Sequence, residues 1–342
     1  MKYKRAVITG FGSPDVLAII EEEMPEPLAG QARVKILAAG VAYADIGMRL
    51  GTYPSQRTGA PPFTPGYDIV GVVDKVGAEV TAVRLGDRVA ALTTVGGYAE
   101  YLCLPAAELM PVPAGVDSAE AVSLVLNYVT AYQMLHRVAE VKSGDTILVH
   151  GAAGGVGTAF LQLGKLAALK MIGTASSAKL ALVERLGATA LDYRAEDWVG
   201  RVTALTRGGV DSAYDPIGAE NFRKSFSVLR PGGILVTYGN YVASQRGRAD
   251  REAIAAVTAV REQLKQQSDQ GRRIANYFIG GLKEAHPEWF RSDLAALLDL
   301  LSQKKISPVI AERLPLTEAR RAHVLLDQAA VSGKIVLIPN QA

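Results

Sequence analysis

A strand, a glycine-rich turn and a helix follow one another over residues 146–168, and this succession constrains the fold more than any other feature. The segment begins T-I-L-V-H-G-A-A-G-G-V-G at residue 146. Its glycines at 151, 154 and 157 are spaced by three, and they allow a tight turn with a close approach to a ligand. The helix that follows presents N–H groups and a partial positive charge at its N-terminus, which suits a pyrophosphate. We interpret the segment as the first unit of a dinucleotide-binding domain.

Strands and helices continue to alternate after this turn. Apolar runs predict strands at 171–175, 190–193, 212–215 and 234–238. The stretches between them have helical composition, and they predict helices at 178–186, 197–206 and 221–229. Such a series predicts a doubly wound parallel sheet, so the fold class is α/β.

Residues 1–124 follow a different pattern, in which short Val, Ile and Leu runs alternate with Gly and Pro. This pattern is typical of a β-rich domain. A chain of 342 residues is long enough for two domains at about 150 residues each. We predict a first domain over 1–124, completed by 288–342, and a nucleotide-binding domain over 125–287. Residues 241–272 are predicted to form an exposed helical insertion, because they lack a wide apolar stripe.

Composition excludes several classes of protein. Lys and Arg number 37 and Asp and Glu 34, so the net charge of +3 argues against a nucleic-acid binder. The single cysteine, Cys103, excludes an internal disulfide and an iron–sulfur site. No apolar run approaches the roughly 18 residues of a membrane helix, so we expect a cytoplasmic protein without stable membrane insertion.

The second predicted strand of the nucleotide-binding domain distinguishes between cofactors. An NAD site usually has an acidic residue there, which binds the ribose 2′-hydroxyl. In this chain Ala175 is followed by Ser176, Ser177, Ala178 and Lys179. Two hydroxyls and an ammonium suit a 2′-phosphate, so we predict NADP(H) rather than NAD(H). Tyr193, at the end of the third predicted strand, is expected to cover the adenosine.

Several motifs carry a resemblance that covers nearly the whole chain. They are G-V-A-Y-A-D at 40–45, R-L-G-T-Y-P at 49–54, P-G-Y-D-I-V-G at 65–71, G-D-R-V at 86–89 and A-A-G-G-V-G at 152–157. The chain resembles the medium-chain dehydrogenase/reductase superfamily, and within it the zinc-independent quinone oxidoreductases. The resemblance implies a GroES-like N-terminal domain, a Rossmann-type NADP(H)-binding domain and a homodimer.

The zinc branch of this superfamily would place a catalytic cysteine at Ala42 and a catalytic histidine at Tyr67. Neither side chain is a suitable zinc ligand, and the structural zinc lobe needs four cysteines. Asp68 does not hold a metal alone. The four histidines have no metal-ligand spacing, and His150 is expected to be structural because it lies in a predicted buried strand. We therefore expect no zinc.

The resemblance implies hydride transfer from NADPH to a conjugated acceptor. Hydride addition leaves an oxygen anion, which needs a hydrogen-bond donor and then a proton. Tyr53 lies where related enoyl thioester reductases place a tyrosine that is proposed as the proton donor. Tyr67 is a second candidate donor. Asp45 is the third candidate, with a hydrogen bond to its own helix or loop as the alternative role.

The resemblance also implies contacts to the cofactor. Ala42 stands where many bacterial quinone oxidoreductases have an asparagine near the nicotinamide, so other amides and hydroxyls are expected to fill that role. The full set of expected contacts is Asn127, Thr130, Ala153, Gly154, Gly155, Val156, Gly157, Ser176, Ser177, Lys179, Tyr193, Tyr238, Gly239, Asn240 and Lys334.

Three functions remain open at the level of sequence. The first is NADPH:quinone oxidoreductase activity, and the second is NADPH-dependent reduction of a carbon–carbon double bond in an enone or enoyl thioester. The third is an NADPH-binding protein with little turnover that acts as a binding or regulatory module. The substrate expected for the first two is a small quinone or an α,β-unsaturated carbonyl compound.

Overall fold

The computed structural model describes residues 1–53, 58–194, 197–247, 249–267 and 271–339. Pro54, the last residue of the R-L-G-T-Y-P motif, lies outside these ranges, as do parts of the predicted 241–272 insertion. The chain forms two compact units. Unit 1 comprises Met1–Leu126, Arg246–Ala249 and Glu288–Ala342, and unit 2 comprises Asn127–Gln245 and Asp250–Pro287.

The strands are numbered along the chain. They are β1 (Lys2–Ile8), β2 (Leu17–Glu23), β3 (Gln31–Val41), β4 (Asp68–Val76), β5 (Arg88–Leu92), β6 (Tyr101–Pro105), β7 (Met110–Pro111), β8 (Thr146–His150), β9 (Lys170–Ala175), β10 (Thr189–Asp192), β11 (Val210–Asp215), β12 (Leu229–Thr237), β13 (Arg273–Asn276), β14 (Ile310–Pro315) and β15 (Lys334–Ile338).

The α-helices are numbered in the same way. They are α1 (Tyr43–Leu50), α2 (Ser118–Ser123), α3 (Val129–Gln133), α4 (Gly155–Leu166), α5 (Leu180–Arg185), α6 (Trp198–Thr206), α7 (Glu220–Ser227), α8 (Arg251–Gln266), α9 (Ile279–Ala285), α10 (Pro287–Ser302) and α11 (Ala319–Asp327). The π-helical segment Leu124–Tyr128 joins α2 to α3, and a second one, Met134–Val138, extends α3, so that 118–138 form one helical stretch. Among the described residues, no helix is both long and apolar enough to cross a membrane.

Unit 1 is built on a sheet with the order β14-β15-β3-β4-β5-β7, in which β6 also pairs with β3. Side chains of β3 alternate between buried and half-buried positions, as a strand with one core face requires. The last strand, β15, pairs antiparallel with β3, so that Val336 faces Gly40. The C-terminal strands β14 and β15 therefore belong to the same sheet as β3–β7, whereas β1 and β2 form a separate two-stranded sheet.

Unit 2 contains a parallel sheet with the order β10-β9-β8-β11-β12-β13. The predicted doubly wound sheet is confirmed, although β12 begins at Leu229 rather than at residue 234. The order of the strands reverses between β8 and β11. In such sheets the loops at the carboxyl ends of the strands diverge at this point and leave a crevice in which ligands bind.

The segment 241–272 differs from the exposed insertion that the sequence predicts. One face of α8 is buried, because Val257, Val260 and Leu264 join the core cluster that contains Phe222 and Phe226 of α7. These three apolar residues form a stripe too narrow to stand out from the Ala, Gln, Arg and Glu around them. After α8, the chain adds β13 as a sixth parallel strand beside β12, which the sequence analysis missed.

Asp117 caps the helical stretch over 118–138, which carries Asn127 and Thr130. Its side chain accepts hydrogen bonds from the N–H groups of Ala119 and Glu120, each at 3.0 Å. The Arg313 guanidinium donates to both oxygens of the same carboxylate, at 2.8 and 2.9 Å. The cap satisfies helix N–H groups that lack an intrahelical partner.

We expect Asp117→Ala to lower the free energy of unfolding by about 1 kcal/mol, the usual cost of a lost N-cap. The corresponding fall in Tm is about 2–4 °C. Asp117→Asn keeps the capping oxygen and loses only an exposed ion pair, so we expect it to stay within about 0.5 kcal/mol of the wild type. Thermal unfolding of both variants measures the difference, and equal losses would contradict the capping role.

Candidate functional site

In the glycine turn of unit 2, the first turn of α4 packs closely against the backbone of Gly151 and Ala152. Gly151 has a φ of +64°, in the left-handed region that favours glycine. A Cβ at Gly157 would lie 2.6 Å from the Ala152 Cα, so only glycine permits this packing of α4 on the turn. Gly154 is the N-cap of α4 and has no side chain to satisfy the first helical N–H groups. The predicted residues 153–157 therefore form a backbone cradle whose donors fit a pyrophosphate.

The end of β9 carries the residues predicted for a 2′-phosphate. Ser176 precedes the 3-10 turn Ser177–Lys179, and Lys179 is half-buried. Burial lowers the pKa of the Lys179 ammonium, and the positive charge of the nearby Arg194 lowers it further. Two cations held close together favour an anion between them. The donor set of hydroxyls, ammonium and guanidinium fits a phosphate.

Arg194 is a residue that the sequence analysis missed. Its guanidinium lies 5.4 Å from the centre of the Tyr193 ring, and its Nε donates to the Tyr193 hydroxyl at 3.1 Å. The Tyr193 N–H donates to the carbonyl of Ala175 at 3.3 Å, which sets this pair beside the end of β9. The signal in the sequence is a basic residue directly after the tyrosine that ends the third predicted strand.

Residues predicted at the nicotinamide end lie on two elements of unit 2. Asn127 and Thr130 are buried in the helical stretch over 118–138. Tyr238, Gly239 and Asn240 follow β12 directly, and Gly239 adopts a φ of +72°. Within the described residues, the Asn240 side-chain oxygen is buried and has no hydrogen-bond partner. A buried acceptor without a partner costs about 1–3 kcal/mol, so this atom fits a site that a ligand N–H completes.

The two predicted donor tyrosines of unit 1 contact each other. The Tyr53 and Tyr67 hydroxyl oxygens are 2.7 Å apart, and the rings meet edge to face at 6.2 Å. The left-handed Gly51 ends α1, and the next residues return so that the Tyr53 N–H donates to the carbonyl of Gly47. Tyr67 is 1% exposed and lies in the loop before β4. One hydroxyl of the pair donates to the other, and the accepting hydroxyl group retains its own proton.

Asp45 is fully buried, and its carboxylate accepts three hydrogen bonds within unit 1. The donors are the N–H of Ala42 at 2.8 Å, the N–H of Gly66 at 3.2 Å and the hydroxyl of Tyr98 at 3.0 Å. Burial raises the pKa of Asp45 to about 7, although the hydrogen bond from Ala42, the Lys334 charge and the hydrogen bond from Tyr98 oppose the shift. The carboxylate therefore holds the start of α1 and the loop that carries Tyr67. Its catalytic role remains a prediction, and its contacts favour the alternative role of a local hydrogen bond.

Lys334 lies at the start of β15 and is buried. Its Nζ donates to the Asp68 carboxylate at 3.0 Å, and both side chains are almost inaccessible. Burial raises the pKa of Asp68, and the Lys334 charge opposes this. The predicted cofactor contact of Lys334 remains a prediction. Within the described residues, no group of three or more His, Cys, Asp or Glu side chains is placed to hold a metal ion.

Comparison with known proteins identifies the family. Residues 28–114 match the family model described as the alcohol dehydrogenase GroES-like domain, and residues 186–337 match the model described as zinc-binding dehydrogenase. A quinone oxidoreductase from Pseudomonas aeruginosa is 33% identical, over 98% of this chain and 99% of the relative. The human synaptic vesicle membrane protein VAT-1 homolog is 32% identical, over 97% of this chain and 86% of its own length.

Solved structures agree with these sequence matches. The Escherichia coli quinone oxidoreductase, solved in complex with NADPH, superposes with a TM-score of 0.88 at 28% identity. The match covers 98% of this chain and all of the other. The predicted combination of a GroES-like domain and a Rossmann-type domain is thereby confirmed, and so is the prediction of NADP(H) as the cofactor. The chain belongs to the quinone oxidoreductase-like group of the medium-chain dehydrogenase/reductase superfamily and is an NADPH-dependent oxidoreductase.

Proposed function

We propose that this protein is a zinc-independent NADPH:quinone oxidoreductase. The overall reaction converts NADPH, a proton and a quinone into NADP⁺ and a hydroquinone. The observation that carries the proposal is the hydrogen-bonded pair Tyr53–Tyr67, in which Tyr67 occupies the position of the catalytic histidine of the zinc branch. The relatives named quinone oxidoreductase support the choice of acceptor, since one of them aligns over 99% of its length.

The residues proposed to hold the cofactor belong to unit 2, apart from Lys334. The backbone of residues 153–157 binds the pyrophosphate, and Ser176, Ser177, Lys179 and Arg194 bind the 2′-phosphate. Tyr193 covers the adenosine. The nicotinamide half is contacted by Asn127, Thr130, Tyr238, Gly239 and Asn240, with Lys334 as a further contact. When bound, the cofactor supplies the hydride.

The tyrosine pair supplies the proton. An ordinary tyrosine keeps its proton at neutral pH and can donate it. If Tyr67 donates the shared hydrogen bond, Tyr53 keeps its own proton for the oxygen of the reduced acceptor. The negative charge left on Tyr53 is then stabilised by the Tyr67 hydroxyl, because a hydrogen bond to the charged form favours that form. The pair therefore reduces the cost of giving up a proton.

The domain roles follow from these assignments. Residues 1–124 with 288–342 form the catalytic domain, and residues 125–287 form the nucleotide-binding domain. The expected assembly is a cytoplasmic homodimer that acts without zinc. Light scattering of the purified protein measures the assembly, and a monomer at micromolar concentration would contradict it.

Reduction of a carbon–carbon double bond is the second candidate function. The same tyrosine pair favours it, because protonation of the anion formed after hydride addition requires a positioned acid. A quinone accepts its proton on oxygen and depends less on such an acid. The third alternative, a binding module with little turnover, is disfavoured by relatives named as oxidoreductases.

Oxidation of NADPH at 340 nm against a small panel of acceptors tests the proposal. The panel contains 1,4-benzoquinone, 9,10-phenanthrenequinone, 1-octen-3-one and crotonyl-CoA, with NADH as the alternative donor. We expect the highest kcat/KM with a quinone and NADPH. A preference for the enone or the thioester would replace the proposal with double-bond reduction.

Lys179→Ala is expected to raise the KM for NADPH about tenfold or more while leaving the KM for NADH nearly unchanged. The lost interaction is a hydrogen bond to a charged group, which is worth about 1.5–3 kcal/mol. Arg194→Ala should act in the same direction. Lys170→Ala is the matched control, because Lys170 is exposed at the amino end of the same strand, β9. Equal effects of Lys179→Ala on both cofactors would refute the assignment.

Tyr53→Phe is expected to lower kcat for an enone by about 10²-fold, the lower end of the range for general acid catalysis. For a quinone the loss should be much smaller. Tyr67→Phe leaves the Tyr53 proton in place and removes only the stabilising hydrogen bond, so about a tenfold loss is expected. Tyr101→Phe, which alters a half-buried tyrosine elsewhere in unit 1, serves as the control. Steady-state kinetics with both acceptors measure the difference, and unchanged enone turnover in Tyr53→Phe would show that Tyr53 only packs.

A further inference from the structure

A cluster of buried polar side chains lies in unit 2 at the carboxyl ends of three parallel strands. His150 ends β8, Thr174 is the last residue but one of β9, and Asp215 ends β11. Ser225 reaches them from α7. All four are at most 2% exposed. The proposed hydride and proton transfers use none of them, although polar groups are seldom buried without a role.

Hydrogen bonds join the four side chains into one chain. The Thr174 hydroxyl lies 2.9 Å from His150 Nδ1, and the Ser225 hydroxyl lies 3.0 Å from His150 Nε2. Ser225 also lies 2.6 Å from Asp215 Oδ2. A carboxylate can only accept hydrogen bonds, so the Ser225 hydroxyl donates its one hydrogen bond to Asp215. It must therefore accept the hydrogen bond from His150.

These donor and acceptor roles determine which nitrogen of the His150 ring carries the proton. His150 carries its proton on Nε2, and its Nδ1 accepts from Thr174. Burial lowers the pKa of His150, so the ring stays neutral, while the negative charge of Asp215 opposes that shift. The Trp198 ring packs edge-on against the imidazole at 4.8 Å. Both ring nitrogens of His150 therefore have a hydrogen-bond partner.

His150, Thr174 and Asp215 each adjoin a loop at the carboxyl end of the sheet, and the loops after β8 and β9 carry residues of the proposed cofactor site. His150 directly precedes the glycine turn at Gly151, and Thr174 lies two residues before Ser176. Asp215 Oδ1 accepts the N–H of Ile217 at 2.7 Å, which shapes the loop after β11. A Cβ at Gly151 would lie 4.0 Å from Pro216, so two of these loops are neighbours.

A buried polar network of this kind is a poor means of gaining stability, because apolar residues of similar volume often stabilise a core equally well. Its advantage is a single geometry, since the donors and acceptors of the four side chains are satisfied together in only one arrangement. We propose that His150, Thr174, Asp215 and Ser225 are positioning residues that hold the loops after β8, β9 and β11 in one arrangement, so that the first two can bind the cofactor. The proposal rests on the cofactor site proposed above.

Breaking this network should affect cofactor binding differently from losing a contact to the 2′-phosphate. Removal of the Ser225 hydroxyl leaves the His150 Nε2–H without its acceptor and leaves Asp215 Oδ2 with only the Asn221 amide as donor, at 2.7 Å. We expect this change to loosen the loops around the pyrophosphate. The pyrophosphate is common to NADPH and NADH. Both cofactors should therefore bind more weakly by the same factor, whereas Lys179→Ala discriminates between them.

The test compares Ser225→Ala with Ser227→Ala, which removes an exposed hydroxyl from the same helix. Fluorescence titration gives the Kd for NADPH and for NADH, and thermal unfolding without nucleotide gives Tm. We expect Ser225→Ala to raise both Kd values about tenfold and to leave kcat at saturating NADPH within about twofold. Ser227→Ala should match the wild type in every measurement.

A purely structural network would give a lower Tm with unchanged Kd values in Ser225→Ala, and this result would overturn the inference. Should Ser225→Ala fail to fold, Thr174→Val removes the donor to His150 Nδ1 at nearly constant volume. Thr174→Ser, which keeps the hydroxyl, should restore the Kd, and equal Kd values for the two Thr174 variants would also overturn the inference.

The wild-type protein separates this inference from the proposed function. Tight binding of NADPH without quinone turnover would refute the proposed reaction and leave the comparison of Kd values intact. Failure of the wild type to bind NADPH would refute both.

Discussion

The parallel pairing of β8 with both β9 and β11 is the constraint on which unit 2 depends. Since the order of the strands reverses here, the loops after β8 and β11 turn to opposite faces and leave a crevice at their carboxyl ends. The glycine turn and the N-terminus of α4 open onto that end of the sheet. The cations Lys179 and Arg194 stand at the same end, after β9 and β10. The sheet therefore brings together groups that lie about 40 residues apart in sequence.

In unit 1, buried charged side chains position the loop that carries Tyr67. The loop that carries Tyr67 is held on one side by Asp45, through the Gly66 N–H, and on the other by the ion pair of Asp68 with Lys334. A side chain at Gly40 would collide with this ion pair, which explains the glycine near the end of β3. Buried charges contribute little to stability relative to apolar residues. Here they determine where the Tyr67 hydroxyl lies, and so its contact with Tyr53.

Much of this site was predictable because its chemistry depends on local pattern. A glycine turn between a strand and a helix, and the missing acidic residue after β9, are local features of sequence. Arg194 was missed because a basic residue after a strand is common and acquires meaning only beside Lys179. The buried face of α8 was missed for a similar reason. Val257, Val260 and Leu264 are too few to mark a core helix until Phe222 and Phe226 of α7 are seen to cover them.

The sequence alone determined the two-part architecture, the dinucleotide turn and the preference for a 2′-phosphate, because periodicity and glycine spacing act over a few residues. The tertiary structure alone decided which side chains meet. The hydroxyl contact between Tyr53 and Tyr67 and the hydrogen-bond chain from Thr174 to Asp215 each join residues from different elements. Such contacts depend on strand register and helix packing, which the whole chain sets together, and no short stretch of sequence encodes them.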